Sequence, residues 1–122
     1  VIFLEESLHG DKLKTARRLF TKKIITSLPD VIITSNDLIA QGIISAAHEN
    51  GINIPNDMQI TGFDDSLSSA YFIPSVTTVS QNIDKLAKRC FSMLMDLINK
   101  KSAVSSIIEQ NIIARNSAKI NI

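Results

Sequence analysis

The chain is poor in residues that would staple it, build a metal cage or charge its surface. Of 122 residues one is cysteine, none is tryptophan and two are histidine. A lone thiol, Cys90, cannot close an internal disulfide, which suits a reducing compartment and leaves folding to burial. The histidines, His9 and His48, lie far apart in sequence, and the four glycines form no glycine-rich phosphate loop. Neither sign of charge dominates: 13 basic residues against 12 acidic ones leave a formal charge of +1, which excludes a polyanion binder driven by a strong basic excess. No apolar run approaches the ~18 residues of a membrane span, so the sequence reads as soluble, with no membrane partner. The first residues, Val1-Ile2-Phe3-Leu4, carry no Met, no signal peptide and no polar lead-in. They read as the interior of a longer protein.

What is present is ample for a core. Apolar residues make up 44% of the chain, and a chain of this length buries roughly two-thirds of its extended surface without staples. It fits one compact domain or one lobe of a larger protein. Val1 to Leu4 predicts a short strand, followed by punctuation through His9, Gly10 and Asp11. The period then changes: Leu13, Ala16, Phe20 and Ile24 recur at three and four residues, one face of a helix, with Asp11 as N-cap and Pro29 as far boundary. Val31 to Thr34 is a β-branched run of the kind covered on both faces. A second helical stripe follows in Ile39, Ala40, Ile43, Ile44 and Ala47, stopped by Gly51 at the position where a left-handed backbone suits glycine. Met58 to Phe63 predicts a third strand, Asp64 to Pro74 a loop of small residues, and Val76 to Val79 a fourth strand. The longest helix begins at Asn82 or Asp84, with apolar positions Ile83, Leu86, Ala87, Cys90, Phe91, Leu94, Leu97 and Ile98. A polar break at Ser102 to Ser106 precedes a last strand, Ile107 to Ala114. Strands separated by long helices imply parallel pairing through right-handed crossovers, an α/β fold with helices flanking a parallel sheet.

In open parallel sheets ligands bind beyond the carboxyl ends of the strands. There the sequence places Thr34-Ser35-Asn36-Asp37, Phe63-Asp64-Asp65 and Ser80-Gln81-Asn82. Carboxylates accept hydrogen bonds, and Asn and Gln both accept and donate, so the set suits the hydroxyls of a neutral sugar. The plainer alternative is that Asn36 and Asp64 cap helices or satisfy loop backbone. Asp37, Asp64 and Asp65 would also serve a hard cation, the basis of a metal-dependent hydrolase reading for which no phosphate cradle is in view. His48 falls mid-helix, away from the strand tips, and reads as a half-exposed surface residue. Cys90 reads as a small core or interface side chain. Lys12, Lys14, Arg17, Arg18, Lys22 and Lys23 spread opposite the apolar stripe of their helix and read as a solvated face.

Pro29-Asp30, Ser35-Asn36-Asp37, Ala40-Gln41-Gly42, Gly51-Ile52, Pro55 with Asp57, Gly62-Phe63-Asp64-Asp65, Pro74, Thr77-Thr78-Val79 and Gln81 occur in order. This series resembles the C-terminal part of a LacI/GalR-family transcriptional repressor, densely from Pro29 to Gln81 and more loosely to Ile113-Ala114-Arg115-Asn116-Ser117. The resemblance implies a truncated Rossmann-like lobe of a periplasmic-binding-protein-like fold. Residues 1–82 would form part of the C-terminal lobe, and 83–122 a crossover helix and terminal strand packing partly on the first lobe. It implies a two-lobed core that closes over a small-molecule effector, a sugar or sugar derivative, and alters operator DNA binding by an N-terminal domain outside this chain. Asn36, Asp64 and Gln81 match the family's effector contacts. Gln41, Ile44, Tyr71 and Phe72 would contribute to a homodimer interface. The implied protein is cytoplasmic, not an enzyme, and takes no cofactor or metal. A solute-binding protein of a sugar transport system is the alternative. Asn82 and Ala87 depart from the family's usual Pro and Gly. The stripe of Leu86, Phe91, Leu94 and Leu97, worth ~1.5–3 kcal/mol per buried side chain, is expected to fold back onto this lobe or pair with another copy.

Overall fold

The computed structural model describes residues 11–119; the strand predicted at 1–4, with His9 and Gly10, lies outside them. The first helix, α1 (Lys12–Leu19), begins where Asp11 accepts a hydrogen bond from the Lys14 amide at 3.2 Å, and runs on into a π-helical turn, Phe20–Ile24. Its inward face carries Ala16, Leu19, Phe20 and Ile24, all buried. Lys12, Lys14, Arg18, Lys22 and Lys23 are exposed, as the helical wheel predicts. Arg17 is the exception on that basic face. Its guanidinium reaches across to Glu49 at 2.6 and 2.8 Å and to the Ser45 hydroxyl.

Strand β1 (Val31–Ile33) pairs in parallel with β2 (Gln59–Thr61), Ile32 opposite Ile60. Between them α2 (Asp37–Glu49) makes the crossover. This helix lies between α1 and the strands, which explains why its burial spreads beyond the predicted stripe of Ile39, Ala40, Ile43, Ile44 and Ala47 to Gln41, Gly42 and Ala46. It ends as the sequence predicts: Gly51 takes φ +73°, and the Ile52 amide returns to the Ala47 carbonyl at 3.0 Å. Phe20, Ile43, Ile44, Met58, Ile60 and Val76 form the heart of the core.

Thr77 continues the sheet through an isolated parallel bridge to Thr61, and β3 (Thr78–Ser80) follows. Between β2 and β3 the predicted loop contains a short helix, α3 (Leu67–Tyr71), which is too brief to show a period and lacks a side-chain cap. The last strand, β4 (Asn111–Ile113), is antiparallel to β3, so the all-parallel expectation fails at this pair. A parallel crossover needs its helix laid on the sheet, and α4 (Ile83–Ile98) has no buried residue. The chain leaves β3 at Asn82, in left-handed backbone at φ +50°, and comes back along the polar flank of α4. There Arg89 donates to Ser106 Oγ at 2.8 Å and to the Val104 carbonyl at 2.6 Å, and the Asn82 side chain donates to the Glu109 carbonyl.

The apolar stripe of α4 therefore does not fold back onto the lobe. Ile83, Leu86, Phe91, Leu94, Leu97 and Ile98 are exposed, Phe91 by 66%. Cys90, on the same stripe, is exposed rather than part of the core. His48 stands exposed near the end of α2.

Candidate functional site

The three polar strand ends meet at one rim because the backbone ladder continues past the strands. The Thr34 amide donates to the Thr61 carbonyl at 3.0 Å and the Asp37 amide to Phe63 at 2.9 Å. On the other side of β2, the Gly62 amide donates to Thr77 at 2.8 Å and the Asp64 amide to Val79 at 3.0 Å. These bonds carry Asn36, Asp64 and Gln81 to the same edge. Two of the three touch: Gln81 Nε2 donates to Asp64 Oδ1 at 2.6 Å. The second carboxylate oxygen of Asp64 has no hydrogen-bond partner among the described residues.

Asn36 does what the plainer alternative requires. Its Oδ1 accepts from the Ile39 amide at 3.0 Å and caps α2. That bond occupies one end of the amide; Nδ2 has no partner among the described residues. A cleft of about 340 Å³ opens beside the rim, lined by Asp64, Asp65, Ser80, Asn82, Ile83, Asp84 and Lys85. Asn36 and Gln81 are outside that lining, so the cleft lies on the β3–α4 side of the predicted trio. Asp65 does not point freely into it: Arg115 donates to its Oδ1 at 2.6 Å while also holding the Val76 carbonyl at 2.8 Å. Both Asp64 and Asp65 sit in left-handed backbone, at φ +106° and +53°.

The residue that sequence reasoning misplaces is Asp37. It is 1% exposed, and its carboxylate is spent on the protein itself. Oδ2 accepts from the Ser66 amide and the Ser69 hydroxyl, both at 2.7 Å, and Oδ1 accepts from the Thr78 hydroxyl at 2.6 Å. Gly62 backs onto it so closely that an added Cβ would fall 2.1 Å from Oδ1. A buried carboxylate with this many donors is satisfied. With Asp37 so engaged and Asp65 paired to Arg115, the three acids do not form a cation site. Among the described residues no group of three His, Cys, Asp or Glu side chains converges to hold a metal.

Two of the four expected interface residues are buried within this chain. Gln41 is 4% exposed and donates to Ser68 Oγ at 2.9 Å and Ser69 Oγ at 3.1 Å; Ile44 is 1% exposed in the core. Gln41 turns toward Ser68 and Ser69 of α3, and Ile44 belongs to the core cluster with Phe20 and Ile60. Of the same set, Phe72 packs half-buried against the core and Tyr71 is 78% exposed.

A family model described as a periplasmic binding protein-like domain matches residues 4–118. The chain belongs to the periplasmic binding protein-like domain family. Within that family its relatives are repressors, in agreement with the LacI/GalR resemblance. The HTH-type transcriptional repressor PurR of Pasteurella multocida (strain Pm70) is 35% identical over 95 residues, 76% of this chain and 28% of that repressor. The PurR repressor of Escherichia fergusonii is 34% identical over 94 residues, 75% of this chain and 28% of its own length. Among solved structures, the ribose operon repressor protein of Lactobacillus acidophilus superposes with a TM-score of 0.82 at 31% identity, over 96% of this chain and 44% of that one. The lac repressor dimer bound to operator shares the fold, with a TM-score of 0.75 at 21% identity over 88% of this chain and 37% of that one. This periplasmic binding protein-like chain thus spans little more than a quarter of the length of the curated relatives it matches.

Proposed function

We propose that the chain is the effector-sensing part of a DNA-binding transcriptional regulator of the LacI/GalR type. The observation that carries this reading is the Asp64–Gln81 pair, joined at 2.6 Å on the carboxyl rim of the strands, with a second carboxylate oxygen that has no partner among the described residues, beside the cleft. A carboxylate held by a neighbouring amide and still able to accept suits hydroxyl donors of a small polyol. Asn36, with Nδ2 available once its oxygen caps α2, is the third contact. The site takes a sugar or sugar derivative and no cofactor or metal, and the protein carries out no catalysis. Residues 1–82 form part of one lobe, and 83–122 supply the crossover helix and returning strand that pack partly on the other lobe.

Ligand bonds at the rim favour one arrangement of the two lobes, and operator affinity follows that population shift. Operator contact belongs to an N-terminal domain outside these residues, in a cytoplasmic homodimer to which exposed Tyr71, with Phe72, contributes. The repressor relatives favour this reading over a solute-binding protein of a transport system. The test is a titration of the longer protein with a sugar panel beginning at D-ribose, reading operator affinity. A metabolite should change it, and Asp64→Asn should weaken that metabolite's binding by roughly 10- to 100-fold, the worth of a hydrogen bond to a charged group. Operator affinity indifferent to every sugar would overturn the proposal.

A further inference from the structure

We propose that Asp37 is the positioning residue of the effector rim: its buried carboxylate sets the left-handed Asp64–Asp65 turn and thereby where Asp64 stands. The inference rests on the effector-site reading above for its purpose, but its geometry is independent of any ligand. Sequence places Asp37 at the ligand edge, directly after Asn36. The fold withdraws it, 1% exposed, beneath that edge.

Asp37 holds residues 62–66 through its side chain and its own backbone, beside the bonds that the Gly62 and Asp64 amides make to Thr77 and Val79. On the way in, Gly62 lies against the carboxylate with no room for a Cβ, and the Phe63 carbonyl accepts the Asp37 amide at 2.9 Å. On the way out, the Ser66 amide donates to Asp37 Oδ2 at 2.7 Å, while the Asp65 amide donates at 3.3 Å to Thr78 Oγ1, whose hydroxyl donates to Asp37 Oδ1 at 2.6 Å. Two consecutive amides leaving the turn therefore end on one carboxylate, one directly and one through Thr78. Between these anchors lie Asp64 and Asp65, at positive φ that non-glycine residues adopt only when their surroundings impose it. An outer shell keeps the donors aimed. Gln41 donates to the Ser69 hydroxyl at 3.1 Å, and Ser66 Oγ lies 2.8 Å from it, which directs the Ser69 proton to Asp37. Charge-assisted bonds of this length at a buried carboxylate are the strong ones, so the turn is set by the protein itself.

Amide hydrogen exchange by NMR on the full chain separates positioning from general support. Thr78→Val keeps the shape and removes the hydroxyl relay. It should speed exchange at Asp65 and Ser66 by about tenfold relative to Ile43 and Ile44 in α2, and shift the Gln81 side-chain amide signal. Thr78→Ser should restore both, and Asp37→Asn should reproduce the Thr78→Val pattern. A core variant, Ile43→Val, should move rim and core together. If Asp37→Asn does not fold, the Thr78 pair decides alone. Rim and core exchange moving in step in Thr78→Val, or no restoration by Thr78→Ser, would overturn the proposal. No arm uses a ligand, so failure of the effector reading would appear separately, as absence of any response to D-ribose and the sugar panel.

Discussion

Asn36 caps α2 with one end of its amide, the proposed effector contact uses the other, and a pair of substitutions separates the two. Asn36→Ala removes the cap on α2 and should cost about 1 kcal/mol of stability, read from chemical denaturation. Asn36→Ser restores a capping oxygen but not the amide N–H, so it should recover stability while effector affinity stays low. Affinity returning together with stability would assign Asn36 to the cap alone. The rim was legible at this scale because strand ends in a parallel sheet declare themselves through polar residues after β-branched runs. Asp37 was not legible. Its partners Ser66, Ser69 and Thr78 lie 29, 32 and 41 residues away, and nothing local distinguishes a carboxylate that will be buried from its neighbour Asn36, which stays half-exposed.

Elements with a strong period emerged where the spacing places them. The stripe of α1 continues through the π-helical turn, where Phe20 is fully buried against α2. Phe20→Ala should cost about 3–5 kcal/mol, the loss of a packed aromatic plus the cavity left behind. Lys22→Ala, two residues along on the exposed face, should stay within about 0.5 kcal/mol. Thermal melts of the two variants check the contrast. The strands were legible in place but not in extent, and only the last departs in direction: the predicted run Ile107 to Ala114 contracts to Asn111–Ile113 and turns antiparallel, while β1 and β2 pair in parallel as expected. Strand direction follows from where the preceding helix packs, and the amphipathic pattern of α4 says that it needs a partner without saying that the partner is this sheet.

At the scale of the whole molecule, that unpacked stripe dominates the surface. Ile83, Leu86, Phe91, Leu94, Leu97 and Ile98 form a contiguous exposed apolar face on a chain whose formal charge of +1 offers little repulsion between copies. The 122-residue chain by itself should associate with rising concentration in sedimentation velocity and bind a hydrophobic dye. Phe91→Lys combined with Leu94→Lys should abolish both without altering the thermal melt, since neither side chain contributes to the core. A monodisperse parent chain that binds no dye would contradict this. Family and fold class could be read from the ordered motif series between Pro29 and Gln81.

Ser80 and Asn111 are register partners in the β3–β4 pair. The excursion from 81 to 110 thus departs and rejoins at a single doorway. Splicing those two residues through an Asn-Gly reverse turn would convert the pair into an ordinary hairpin. The remainder should melt cooperatively as a miniature scaffold, free of the sticky appendage and ready to receive a different one.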